Sequence, residues 1–192
     1  MWRGLACLAL VAPLGGCGAV GGASMETFDL SASYSTVAAT KPKGQLLIDQ
    51  PVASSPIDSD RVVVRPTPDT VATLKGAQWS EPLPRLLQTR MLQSFESGRA
   101  LIAVGRPGSG IEARYMLASE IRHFELDIEN GEAVVEISVK FVATDSGKVV
   151  ATRVFSARAP GSAKEPGAAA AALNTASSKV IDDIVAWTTS RV

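Results

Sequence analysis

This chain of 192 residues is short of the side chains that do chemistry. It has one histidine, His123, and two cysteines, Cys7 and Cys17. Beyond residue 17 there is no thiol to attack a substrate, ligate a metal or close a disulfide, so that part of the chain must be held by its core alone. A zinc site of the usual nitrogen and sulfur kind is excluded by residue supply. Lysine and arginine together number 19, as do aspartate and glutamate. With no cationic excess to drive phosphate binding, nucleic acid is not an expected partner. Past residue 16 no apolar run approaches the roughly 18 residues that a membrane-spanning helix needs.

What is present begins at the N-terminus. Arg3 supplies a positive charge, residues 4–14 are largely apolar, and Leu14-Gly15-Gly16-Cys17 follows. A charged start, an apolar segment of about 7–15 residues and small residues at a cleavage point are the layout of a secretory leader. The cysteine directly after two glycines resembles the lipoprotein signal Leu-x-Gly-Cys. That resemblance implies cleavage between Gly16 and Cys17, and acylation of Cys17 with three chains. One chain binds a bilayer only marginally, at about 0.8 kcal/mol per buried methylene, so three imply very slow release. Gly18 stands where an aspartate would favour retention in the inner membrane, so the expected location is the periplasmic face of the outer membrane. The plainer alternative is a secreted protein with Cys17 as a free thiol.

Residues 1–16 are thus read as signal peptide, 17–26 as a lipidated tether rich in glycine, and 27–192 as a single domain. Within the domain, Thr27–Ser31, Gln45–Asp49, Arg61–Arg65 and Thr70–Leu74 read as strands, with 35–43 as loop and Pro51, Pro66 and Pro68 as terminators. Leu83, Leu87, Met91 and Phe95 recur at helical spacing, with Ser80 as the expected cap, Glu81 in the first turn and Gly98 at the end. Leu101–Val104 reads as a short strand. Over 112–158, Asn130-Gly131 signals a hairpin. Val135, Ile137, Val139 and Phe141 alternate with polar residues, as in a strand with one wet face. A second turn at Asp145–Lys148 completes a three-stranded meander. Ser162 and Glu165 have capping-box spacing ahead of a helix over 167–190, whose face carries Leu173, Val180, Ile184 and Trp187. The sum is an α+β two-layer sandwich: a mixed, mostly antiparallel sheet with two helices packed on one face.

Candidate sites are few. His123 lies in a strand-like run and reads as a surface or edge residue. Glu125, Asp127 and Glu129, at period two, read as a solvated strand face. Gly105-Arg106-Pro107-Gly108-Ser109-Gly110 looks like a phosphate cradle, but Ile111 and Glu112 stand where lysine and a hydroxyl should be. Ser109 sits outside Gly-x-Ser-x-Gly, and no Ser-x-x-Lys occurs. No catalytic residue, metal site or cofactor is expected. Trp79 either staples the start of the first helix onto the core or serves as a partner contact, a common use of tryptophan.

Several stretches, taken in order, resemble the ABC-type transport auxiliary lipoproteins, the family that includes paraquat-inducible protein C. They are Thr27-Phe28-Asp29-Leu30, Asp58 to Arg65, Gly76 to Leu87, Ala103 to Pro107, Tyr115-Met116-Leu117, Glu120 to Phe124, Arg153-Val154-Phe155 and the final helix with Trp187. Phe28 departs from the tyrosine usual in the family's first strand. The resemblance implies a non-enzymatic role beside an ABC permease and ATPase, with a mammalian-cell-entry-type periplasmic protein as the conduit for lipid. It implies docking of that conduit at the outer membrane, and in some members a ring of copies, so a homo-oligomer is among the expected assemblies. The expected contact surfaces lie around Trp79 and Glu81 at the start of the first helix, and at Arg106 in the 105–110 loop. The competing readings are an envelope-assembly lipoprotein independent of any ABC system, and a periplasmic hydrolase built on His123 and Ser109.

Overall fold

The structure, a computed structural model, describes residues 25–32 and 42–192. The leader, the Gly16–Cys17 junction, the tether up to residue 24 and most of the loop read over 35–43 lie outside the described residues. The elements run β1 (Glu26–Phe28), β2 (Gln45–Ile48), β3 (Val52–Ala53), β4 (Arg61–Thr67), β5 (Thr70–Trp79), α1 (Leu83–Ser97), β6 (Ala103–Gly105), β7 (Tyr115–Asp127), β8 (Glu132–Ala143), β9 (Val149–Pro160) and α2 (Pro166–Thr189).

The nine strands form one mixed, open sheet with β7 at its centre. One edge of β7 pairs antiparallel with β8 along nearly its whole length, and β8 pairs antiparallel with β9. The other edge carries three short parallel partners in succession: β2 at Tyr115–Leu117, β3 at Glu120–Ile121 and β4 at Glu125–Asp127. Beyond them β6 runs parallel to β2, while β5 pairs antiparallel with β4 and parallel with β1. Both hairpins of the meander sit at the expected turns, and Gly131 and Gly147 take the positive φ these turns require.

The helices cover one sheet face. α2 lies on β8 and β9, α1 lies beside β2 and β6, and the two helices touch. The inward positions of β8, Ala133, Val135, Ile137, Val139 and Phe141, are all buried. They meet Leu173, Val180, Ile184 and Trp187 from α2, the expected helix face. The alanines of α2 bury Ala169, Ala170 and Ala172, so this small-residue run lets the helix approach the sheet closely. Gly161 serves the same approach: a Cβ there would stand 2.5 Å from Leu126 Cδ1 and 2.9 Å from Ala172 Cβ.

Several expectations need correction. The first strand ends at Phe28, and the strand expected to stop at Leu74 runs on to Trp79. It does so through a wide irregularity opposite Val62, where Gly76 takes φ 75°. Pro66 lies inside β4 at a register shift, where a missing N–H breaks no ladder bond. Ser80 does not cap α1. Its N–H donates to the Phe28 carbonyl at 2.8 Å and the N-cap is Pro82, without a side-chain bond. Nor does Ser162 form a capping box, because α2 starts later, with Glu165 as N-cap and Pro166 as its first residue. Gly98 does close α1, but in right-handed geometry, and Arg99 takes the left-handed position at φ 50°.

Candidate functional site

Trp79, Glu81 and Arg106 all come to the α1 side of the molecule, but in different ways. Trp79 is the last residue of β5 and is 2% exposed. Its ring meets Phe124 of β7 edge-on, with centroids 5.8 Å apart. Its backbone N–H donates to the Asp60 carbonyl at 2.7 Å. The indole is thus packed as a staple between β5 and the core, and its side chain has almost no surface left to offer a partner.

Glu81, unlike Trp79, lies at the surface. It precedes α1 and accepts from Arg85 Nε at 2.9 Å, both side chains being exposed. Arg106 is held harder. Its Nε donates to Gln88 Oε1 at 3.1 Å, and its Nη2 donates to Thr89 Oγ1 at 3.0 Å. Gln88 is itself buried and donates from Nε2 to the Ile48 carbonyl at 2.9 Å. One chain of bonds therefore ties the 105–110 loop to α1 and α1 to β2. Two glycines, Gly108 and Gly110, turn the loop at φ 81° and 79°. Between loop and helix lies a depression of about 370 Å³ floored by Leu92, Val104 and Ile111, with Arg106 and Glu96 on its rim. Such a surface combines fixed charge with a small apolar floor, which suits docking better than bond-making.

The residues that a hydrolase would need are not brought together. Ser109 lines the depression beside α1. His123 stands on the sheet face away from the helices, opposite Glu136 of β8. Its Nδ1 lies 2.7 Å from Glu125 Oε1. Here the expected solvated face fails at Glu125, which is 3% exposed, whereas Glu129 is exposed as expected. A bulge between Ile121 and His123 shifts the pleat, placing Glu125 between Val63 of β4 and Val134 of β8. Its carboxylate also accepts from Arg65 Nε at 3.1 Å and from the Phe124 N–H at 3.0 Å. Arg65 continues to the Pro68 carbonyl at 2.9 Å. The cluster is a polar clasp between β4 and β7, since a buried carboxylate needs all of its lone pairs satisfied. Glu125 does lie on the outer face with His123, and sequence reading missed its burial because Arg65, which bonds it there, comes from a strand 60 residues away.

Asp127, two residues on, is half-buried. The Asn130 side-chain amide and the Asn130 N–H both donate to it, and these bonds hold its carboxyl below the ordinary value of 3.8. Among the described residues no group of three or more His, Cys, Asp or Glu side chains is gathered as metal ligands. No helix among them is long and apolar enough to cross a membrane.

The chain is similar to known proteins over most of its length. The family model of the ABC-type transport auxiliary lipoprotein component matches residues 28–185. An uncharacterized protein of Bradyrhizobium diazoefficiens, bll6063, is 30% identical over 172 residues, covering 88% of this chain and 46% of the relative. The chain thus spans about half the length of that curated relative. The crystal structure of protein XCC0632 from Xanthomonas campestris superposes with a TM-score of 0.77 at 31% identity, covering 85% of this chain and 95% of that one. A second crystal structure of an uncharacterized protein shares the fold, with a TM-score of 0.69 at 11% identity, covering 86% of this chain and 99% of the other.

Proposed function

The chain belongs to the ABC-type transport auxiliary lipoprotein component family, and from that premise we propose that it is a lipid-anchored docking domain without catalysis of its own. Cys17 is the acylated residue after cleavage behind Gly16, and the acyl chains hold the domain to the periplasmic face of the outer membrane. From Cys17 to Met25 the chain can reach at most about 3.3–3.6 Å per residue, so the sheet works within roughly 30 Å of the bilayer. Its partners are the permease and ATPase of an ABC system, with a mammalian-cell-entry-type periplasmic protein as the lipid conduit. Glu81 and Arg106, on the α1 side, are contact residues for that conduit, and assembly with further copies of the chain belongs to the same reading.

The observation that carries this reading is the family match over 28–185 joined to the Leu14-Gly15-Gly16-Cys17 signal. The absence of a gathered nucleophile and base around His123 and Ser109 favours docking over hydrolysis. Cross-linked recovery from membranes tests it. The native chain should bring down a conduit or permease component, and Cys17→Ser should lose that partner and pass into the periplasmic extract. Recovery of no transport component by the lipidated chain would overturn the transport role. An intact mass showing an unmodified thiol at residue 17 would overturn the anchor.

A further inference from the structure

The sheet ends on one side in an unusually long free strand. Among the described residues β9 pairs only with β8. It is 12 residues long, about twice the commonest strand length, whereas edge strands are normally kept short. The direction of its free groups follows from one bond. The Gly161 N–H donates to the Gly131 carbonyl at 2.9 Å, and the register then runs unbroken from Glu132 opposite Pro160 to Phe141 opposite Ala151. In an antiparallel ladder, bonded and non-bonded pairs alternate. Arg153, Phe155, Ala157 and Ala159 therefore bond to β8. The N–H and C=O groups of Thr152, Val154, Ser156 and Arg158 point away from the sheet.

The side chains along this edge narrow the occupant. Val149, Val150 and Val154 are exposed at 46%, 54% and 43%, so the edge carries apolar surface as well as backbone groups. From residue 146 to 164 there is no carboxylate, while Lys148, Arg153, Arg158 and Lys164 are cationic. Arg158 has Glu132 beside it at 2.9 Å, and Arg153 lies over the Phe155 ring at 5.0 Å. An antiparallel pairing of β9 with its own copy would bring no carboxylate to these cations, since residues 146–164 hold none, and Pro160 would withhold a donor. We propose that the free edge of β9 receives an extended acidic segment of a partner protein, added as a further strand. Its backbone would meet the four outward residues, its apolar side chains would cover Val154 on one face of the sheet, and its carboxylates would face Arg153 on the other. This mode of recognition draws affinity from main-chain bonds and specificity from alternate side chains. It gives the docking role proposed above a second surface, yet its test needs no transporter.

The test is amide hydrogen exchange on the full lipidated chain in detergent micelles. The probe is a peptide of about ten residues alternating valine or threonine with glutamate, beside a counterpart with lysine for glutamate. Alone, the chain should exchange quickly at Thr152, Val154, Ser156 and Arg158 and slowly at Phe155 and Ala157. The glutamate peptide, at about ten times its Kd, should slow the four outward amides about tenfold, and the lysine peptide should not. Val154→Pro deletes one outward donor while leaving the β8 ladder intact, so it should abolish the effect with Phe155 and Ala157 still protected. The reversal Arg153→Glu should exchange the preference between the peptides. No slowing by the glutamate peptide, or equal slowing by both, would overturn the proposal. So would protection of the four amides that rises with protein concentration alone, which would make a second copy the occupant. None of these results bears on whether Cys17 is acylated or a transport component is recovered.

Discussion

The two edges of β7 are built on different principles. Along one, β8 is a single continuous partner whose pairing is set by a local turn, and every inward residue of β8 reaches the core. Along the other, three short segments from separate parts of the chain, β2, β3 and β4, take successive places in parallel. Parallel pairs need long connections and are slightly weaker per residue. The segmented side is therefore reinforced by side chains. The Arg65–Glu125–His123 clasp holds β4 to β7, and Gln88 reaches the Ile48 carbonyl to hold β2 to α1. The continuous side depends on packed apolar rings, the segmented side on packed valines plus buried polar ties.

Cutting the continuous side should cost most. Phe141 is buried, stacks on Tyr115 at 4.5 Å and meets Trp187 edge-on at 6.3 Å. Phe141→Ala should lower stability by about 3–5 kcal/mol, read from the urea midpoint. Val154→Ala on the exposed face of the adjoining strand should stay within about 0.5 kcal/mol. On the segmented side, Glu125→Ala strips Arg65, His123 and the Phe124 N–H of their acceptor together, for a loss of about 1–3 kcal/mol. His123→Ala should cost less, because that ring is 45% exposed on its side chain and Arg65 keeps its carboxylate. Should Glu125→Ala cost as much as Phe141→Ala, the contrast between the two edges would fail.

The same contrast explains what could be read in advance. The meander and both helices were legible, since Asn130-Gly131, the alternation through Phe141 and the stripe from Leu83 to Phe95 are all local signals. The parallel pairings were not, because nothing near Gln45 or Val52 in sequence points to Tyr115 or Glu120. The burial of Glu125 escaped for a related reason: it lies on the outer face, and its ion-pair partner Arg65 belongs to β4, 60 residues earlier in the chain. Of the candidate contact residues, Glu81 and Arg106 lie at the surface, whereas Trp79 is core. Its place between β5 and Phe124 depends on β5 continuing past Lys75, through a glycine that reads locally as a strand end.

Two smaller effects sharpen the picture at element ends. At the close of α1, Arg99 occupies a left-handed conformation at φ 50° directly after Gly98. Glycine adopts that region without the Cβ clash, so Arg99→Gly should stabilise the fold by about 1 kcal/mol. A lowered midpoint would mean that the arginine side chain makes up for the strain.

The smallest effect is at the tip of the β7–β8 hairpin and concerns pH. Asp127 has a folded pKa below its ordinary value of 3.8, first because the Asn130 side chain donates to it and then because the Asn130 N–H does, with the Arg158 charge a lesser contributor. A carboxyl depressed on folding stabilises the native state above its unfolded pKa, and that contribution fades as pH falls through the lower folded value. Asn130→Ala removes the leading donor and should return the carboxyl toward 3.8. The variant should then be less stable than the parent at neutral pH, and the gap should close as the solution is taken well below 3.8. Denaturation midpoints across that range, beside an NMR titration of the Asp127 carboxyl carbon, decide it. A gap that holds constant with pH would show that Asn130 acts on the turn backbone alone, and the Asp127 bonds would then add nothing to the local signal that makes the continuous side of β7 form.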